Sequence, residues 1–181
     1  MKILYIGVHS HLGWGAEYWL LKAFYDIDLE YELLDYREEF KNINTNQINE
    51  LINSRSQTCD LIFLQRGDNL SPTIFNNIKI PIVFWSTEPI VLKNDVDQLL
   101  ASSIFSWVFV HSYSCLERIK NEFQNLIYKV SVMHNAAPKE KIHFKDNKYI
   151  YSIFNRSLSL RRKFWLLHAR KRVKIIKGRF G

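Results

Sequence analysis

Four short polar clusters interrupt the apolar runs of this 181-residue chain, and each follows a stretch that reads as a buried β-strand. The first holds His9, His11, Gly13, Trp14 and Gly15, and the second Arg66, Gly67 and Asp68. The third holds Ser86, Thr87 and Glu88, and the fourth His111, Ser112 and Tyr113. Histidine titrates near neutrality, so His9 or His11 could act as a general base. The two alternate on an extended segment and would point the same way, as a pair of plain surface histidines also would. Glu88, directly after an apolar strand, suits hydrogen bonds to sugar hydroxyls or acid–base work; an exposed loop acid held by the Pro89 turn is the equal alternative. Asn135 offers a polar side chain for ligand hydroxyls, or serves as a turn residue. Gly13 and Gly15 would let backbone N–H groups approach a phosphate or hydroxyl at the start of a helix, or simply permit a tight turn.

Other chemistries find less support. Gly7, Gly13 and Gly15 do not spell the dinucleotide fingerprint, and no phosphate-binding P-loop motif is present, which weighs against a small nucleotide-dependent enzyme built on the first loop. No third or fourth ligand accompanies the histidines, so no metal is expected. Cys59 and Cys115 are too few for a disulfide framework and read as reduced thiols in a cytoplasmic protein.

The elements that must position these clusters follow from hydropathy. Lys2–Val8 is a nearly continuous apolar run, as expected of a buried parallel strand, and Ala16–Tyr25 has helical spacing. Strands are predicted at Tyr31–Leu34, Asp60–Gln65, Pro81–Trp85, Trp107–Val110 and Val130–Met133, with a polar surface loop over Tyr36–Asn46. Helices are predicted at Gln47–Ser54, from Ser71-Pro72 to Asn77, at Lys93–Ala101, and from a Ser112 cap to Phe123. This alternation specifies a Rossmann-like α/β fold, a parallel sheet with helices on both faces. Ligands in such sheets sit at the carboxyl ends of the strands, where all four clusters fall.

Charge divides the chain. Eleven of the 25 basic residues, and none of the 18 acidic ones, lie beyond Asn147, so residues 1–146 carry 14 basic and 18 acidic side chains. The body is therefore mildly acidic, and nucleic-acid binding from the overall charge of +7 is not expected of it. The reading places a domain at 1–138, a polar linker at 139–147, and a basic β-α-β segment at 148–181, with strands at Tyr149–Phe154 and Val173–Ile176 around a helix at Ser159–Ala169. If helical, Leu160, Phe164 and Leu167 line one face among cations. Such a helix could lie on an anionic membrane surface or pack on the body. No run is apolar enough for a membrane span and no signal peptide is evident, so the expected location is cytoplasmic, with peripheral membrane contact through the basic segment.

The order of segments resembles the N-terminal domain of GT-B glycosyltransferases, closest to the spore-maturation-protein-like and family-4-like group. The resemblance rests on Met1–Gly7, Asp60–Gln65, Ile80–Pro89, Trp107–Ser112 and Val132–Ala137, with Tyr151–Ser157 and Arg161-Arg162 similar to the opening of a second domain. It implies transfer of a sugar from a nucleotide-sugar donor to a glycan or other acceptor, in a cleft between two domains, without a further cofactor. It also implies catalytic roles for His9, His11 or Glu88, and substrate contacts from Gly13, Trp14, Gly15, Arg66, His111, Asn135, Arg156 and Arg161. The second unit is expected to be the start of a truncated domain lacking the donor-binding glycines, so turnover by this chain alone is expected to be poor. Completion by a missing C-terminal domain or a homodimer partner is part of that expectation. The competing expectation is a non-catalytic binding or scaffold module docking through its basic tail.

Overall fold

The computed structural model describes residues 1–9, 15–90 and 95–134. Within them, β1 (Lys2–Gly7), β2 (Glu30–Asp35), β3 (Leu61–Gln65), β4 (Ile82–Ser86), β5 (Trp107–Val110) and β6 (Val130–Val132) form one sheet. Its order is β2-β1-β3-β4-β5-β6, and every neighbouring pair is parallel. Parallel neighbours require crossovers. These contain α1 (Ala16–Asp26), α2 (Tyr36–Glu39), α3 (Thr45–Ser56), α4 (Asp97–Ala101) and α5 (Tyr113–Glu122), with 3-10 turns at Pro72–Phe75 and Gln124–Leu126. The chain is an α/β protein with a Rossmann-like sheet.

Period-2 alternation divides the strand side chains between two cores. Leu4, Ile6, Ile62, Leu64, Phe84 and Val108 face one side, where Ile52 of α3, Leu99 and Leu100 of α4 and Ile119 of α5 cover them. Ile3, Tyr5, Phe63 and Trp85 face the other, against Leu21 and Phe24 of α1. Leu4, Ile6, Ile62, Leu64, Phe84 and Val108 are fully buried. Each buried side chain of this size contributes about 1.5–3 kcal/mol, so the sheet is a rigid platform for the loops at its carboxyl edge.

One reversal of strand order occurs among the described residues. The chain passes from β1 outward to β2 and then returns to β3 on the other side of β1. α1, which follows β1, packs on the Ile3 and Tyr5 face, whereas Ile74 and Phe75, which follow β3, pack on the Leu4 and Ile6 face, and a reversal of this kind opens a crevice at the strand ends.

The structure corrects several sequence expectations. Tyr36–Asn46 is not all surface loop: Tyr36–Glu39 forms a helical turn and the Tyr36 ring is buried. The Asp35 side chain accepts from Arg37 N, and Glu39 both accepts from Asp35 N and pairs with Arg55 of α3, which fixes this turn against its neighbours. α3 begins at Thr45, two residues earlier than Gln47, because Asn44 and Gln47 form a reciprocal capping box. The Ser71-Pro72 segment closes as a 3-10 turn ending at Phe75. In the helix expected at Lys93–Ala101, the described residues are helical only from Asp97. Ser112 caps α5 as expected, its Oγ accepting from Cys115 N. The linker at 139–147 and the basic segment at 148–181 lie outside the described residues. Among the described residues, no helix is long and apolar enough to cross a membrane.

Candidate functional site

The segment leaving β3 turns sharply. Arg66, Gly67 and Asn69 have φ angles of 70°, 74° and 59°, three left-handed residues within four. That conformation costs a non-glycine residue on the order of 1 kcal/mol, and such strain persists where the surroundings impose it, often at ligand sites. Here Arg66 N is held by the Trp85 carbonyl at 3.1 Å, and Gly67 rests on the core. A Cβ at Gly67 would stand 3.0 Å from Leu99 Cδ1 and 3.4 Å from both Leu64 Cδ2 and Phe84 Cε2. The backbone is thus pressed onto the sheet while the Arg66 and Asp68 side chains are directed outward.

They line a cleft of about 580 Å³, together with Tyr36 and Arg37 of α2, Asn69, Ser86, Glu88, Pro89 and Ile90 after β4, and Asp95 and Val96 before α4. The volume suits a small ligand. Asp68 is the hub: its Oδ2 accepts from Arg37 Nη2 at 2.8 Å, from Arg66 Nε at 3.2 Å, and from the Tyr36 hydroxyl in a longer contact of 3.4 Å. Arg66 Nη2 then reaches Glu88 Oε1 at 3.6 Å. Glu88 stands at the rim with 57% of its side chain exposed, on a turn in which Ser86 Oγ donates to the Glu88 carbonyl. Burial, followed by the Asp68 charge, raises the Tyr36 phenol above its ordinary pKa, while Arg37 and Arg66 oppose the shift. Tyr36 is therefore a neutral hydroxyl in the cleft at neutral pH.

The far wall is anchored from behind. Arg118 of α5 is buried and donates to the Ile90 carbonyl at 3.1 Å, Asp97 Oδ2 at 2.8 Å and Glu122 Oε2 at 3.0 Å, with its guanidinium 5.6 Å from the Phe123 ring centroid. It joins both ends of the β4–α4 connection to one helix.

A second polar feature lies at the crevice, on the α1 side of the sheet. The Tyr5 hydroxyl and Gln65 Oε1 hydrogen-bond between β1 and β3, both residues being fully buried, and Gln65 Nε2 has no partner among the described residues. Burial raises the Tyr5 phenol far above its ordinary pKa, with the charges of Glu17 and Asp35 and the nearby Tyr36 adding to the effect.

The expected site residues are only partly gathered. Arg66 and Glu88 meet in the cleft. His9 does not line it; its backbone N–H donates to Asp35 Oδ2 at 2.9 Å, tying the end of β1 to β2. His111 is also elsewhere, its Nδ1 3.6 Å from Cys115 Sγ and its carbonyl accepting from His134 Nδ1 at 2.8 Å. Gly15 has φ 113° at the start of α1. His11, Gly13, Trp14, Asn135, Arg156 and Arg161 lie outside the described residues. Sequence reasoning missed Tyr36, Arg37 and Asp95. Asp35-Tyr36-Arg37-Glu38 carried an available signal, an acidic cap followed three residues later by glutamate. Among the described residues, no group of three or more His, Cys, Asp or Glu is arranged to hold a metal ion. Both cysteines are buried free thiols.

Comparison with family models, curated proteins and solved structures gives no match for this chain.

Proposed function

We propose that the chain is the acceptor-side half of a GT-B-type glycosyltransferase, using a nucleotide-sugar donor, and that the Arg66–Glu88 cleft receives a hydroxylated acceptor. The observation that carries this reading is the meeting of Arg66 and Glu88 across the carboxyl ends of β3 and β4, 3.6 Å apart in a 580 Å³ cleft. Sugar hydroxyls both donate and accept. The cleft supplies carboxylate acceptors in Glu88 and Asp68, guanidinium donors in Arg66 and Arg37, and a neutral phenol in Tyr36. Glu88 is the group of this set in the place of a general base, exposed at the rim and held from one side by Arg66. The donor would be held by residues beyond 134, with Asn135, Arg156 and Arg161 as candidates.

Calorimetric titration of the full chain with a set of monosaccharides, short glycans and nucleotide-sugars tests the reading. We expect weak, saturable glycan binding that Arg66→Ala abolishes. No heat from any glycan with the unaltered chain would overturn it.

A further inference from the structure

The charge pairing inside the cleft restricts what can occupy it. An arginine-lined pocket at the carboxyl edge of a parallel sheet ordinarily suits phosphate, because a guanidinium fork matches its oxygens. Here both guanidiniums are already paired to a carboxylate. Arg37 Nη2 approaches Asp68 Oδ2 at 2.8 Å, Arg66 Nε and Nη2 both approach that oxygen at 3.2 Å, and Arg66 Nη2 also lies 3.6 Å from Glu88. A phosphate or carboxylate entering the cleft would have to displace Asp68 from two partners or stand against its charge. Asp95, exposed on the opposite wall, adds a third carboxylate and makes no ion pair among the described residues.

From this pairing we infer that the cleft selects a hydroxylated ligand carrying no anionic group, with Asp68 as the residue that enforces the choice. The inference rests on the cleft being a sugar site and names the class of sugar it takes. Neutral hydroxyls can bond to the outer edges of the paired groups without breaking the pair. An anion meets three carboxylates, Asp68, Glu88 and Asp95, against only two guanidiniums, both already paired to Asp68. Like-charge approach of this kind in a half-exposed cleft weakens binding by about tenfold.

The test is a titration, followed by ligand-observed NMR, of the full chain with glucose, galactose, mannose and N-acetylglucosamine, each against its 6-phosphate. The neutral sugars are expected to bind about tenfold more tightly than their phosphates. Asp68→Asn keeps the side-chain volume while releasing both arginines, and is expected to reverse that order. Because Asp68→Asn also loosens the loop, Glu88→Gln serves as the second variant. It alters an exposed side chain and is expected to improve phosphate binding about threefold while leaving the fold intact. Phosphorylated sugars binding more tightly than neutral ones to the unaltered chain would overturn the inference while leaving a sugar site in place. So would an unchanged ratio of neutral-sugar to phosphate affinity in both variants. No binding of any sugar would overturn the inference together with the acceptor-site reading.

Discussion

The Tyr5 hydroxyl meets the Gln65 side-chain amide between β1 and β3, at the one reversal of strand order among the described residues. Both side chains are fully buried, and the amide nitrogen of Gln65 has no partner among the described residues. Tyr5→Phe would leave the whole amide without a bond, at a cost of about 1–3 kcal/mol. Adding Gln65→Met replaces both polar groups by apolar ones, and should recover at least half of that loss. Urea unfolding of the two variants checks this; strictly additive losses would show that the pair contributes nothing as a pair.

The same burial sets an alkaline limit. A phenol whose folded pKa lies above its unfolded value keeps its proton longer in the folded state. Its stabilising contribution is complete below about pH 10, where unfolded tyrosine titrates, and is lost as pH rises toward the folded value. Tyr5 and Tyr36 both shift upward. Unfolding free energy should therefore fall above about pH 10, by up to roughly 1.4 kcal/mol per pH unit from Tyr5, with Tyr36 acting in the same direction. Urea midpoints across this range should decline less steeply in Tyr5→Phe than in the unaltered chain.

Strain at Arg66 separates two substitutions that delete the same guanidinium. With φ at 70°, glycine adopts this backbone without strain and alanine does not. Arg66→Gly should be about 1 kcal/mol more stable than Arg66→Ala in thermal or urea unfolding, although both lose the contacts to Asp68 and Glu88. Equal stability would mean that the turn relaxes once the side chain is gone.

Arg118 holds the cleft wall from its buried place on α5. Arg118→Ala removes a guanidinium from Asp97, Glu122 and the Ile90 carbonyl at once, and should cost about 3–5 kcal/mol. Arg118→Lys should recover only part of this, because an ammonium lacks the planar fork that serves the three acceptors. Hydrogen exchange should rise first at Glu88–Ile90 and Val96–Asp97 in both variants.

Asn44→Ala removes the side chain that accepts from Asn46 N and Gln47 N at the start of α3, each at 3.0 Å. The loss should be about 1 kcal/mol. Asn44→Ser, which can still accept, should restore most of it in the same unfolding measurement.

The strands were legible because a parallel strand buried on both faces has to be an apolar run, and Ile3–Ile6, Ile62–Leu64 and Ile82–Trp85 are such runs. Their carboxyl ends pointed to Arg66 and Glu88 for the same reason. What escaped was the contribution of α2. Tyr36 sits among Arg37, Glu38 and Glu39, so a polar local composition concealed one buried ring whose hydroxyl reaches Asp68, distant in sequence. His9 and His111 illustrate the converse limit: strand ends place a residue on the correct edge of the sheet, but side-chain pairing decides which of them share a cleft. His111 was drawn to Cys115 and His134, and Arg66 to Asp68 and Glu88.

Gly67 bears on how this loop can diversify. Its backbone lies directly on Leu64, Phe84 and Leu99 in a left-handed conformation, where a side chain would be both tight and strained, while residues 66, 68 and 69 face the cleft or its rim. Substitutions at those three positions change the pocket lining directly, at a cost in loop stability set by the Asp68 pairing and by the left-handed backbone at 66 and 69. A substitution at 67 would strain the backbone and press on the Leu64, Phe84 and Leu99 side chains. The loop thus combines a glycine footing packed on the core with a side-chain lining that faces the ligand.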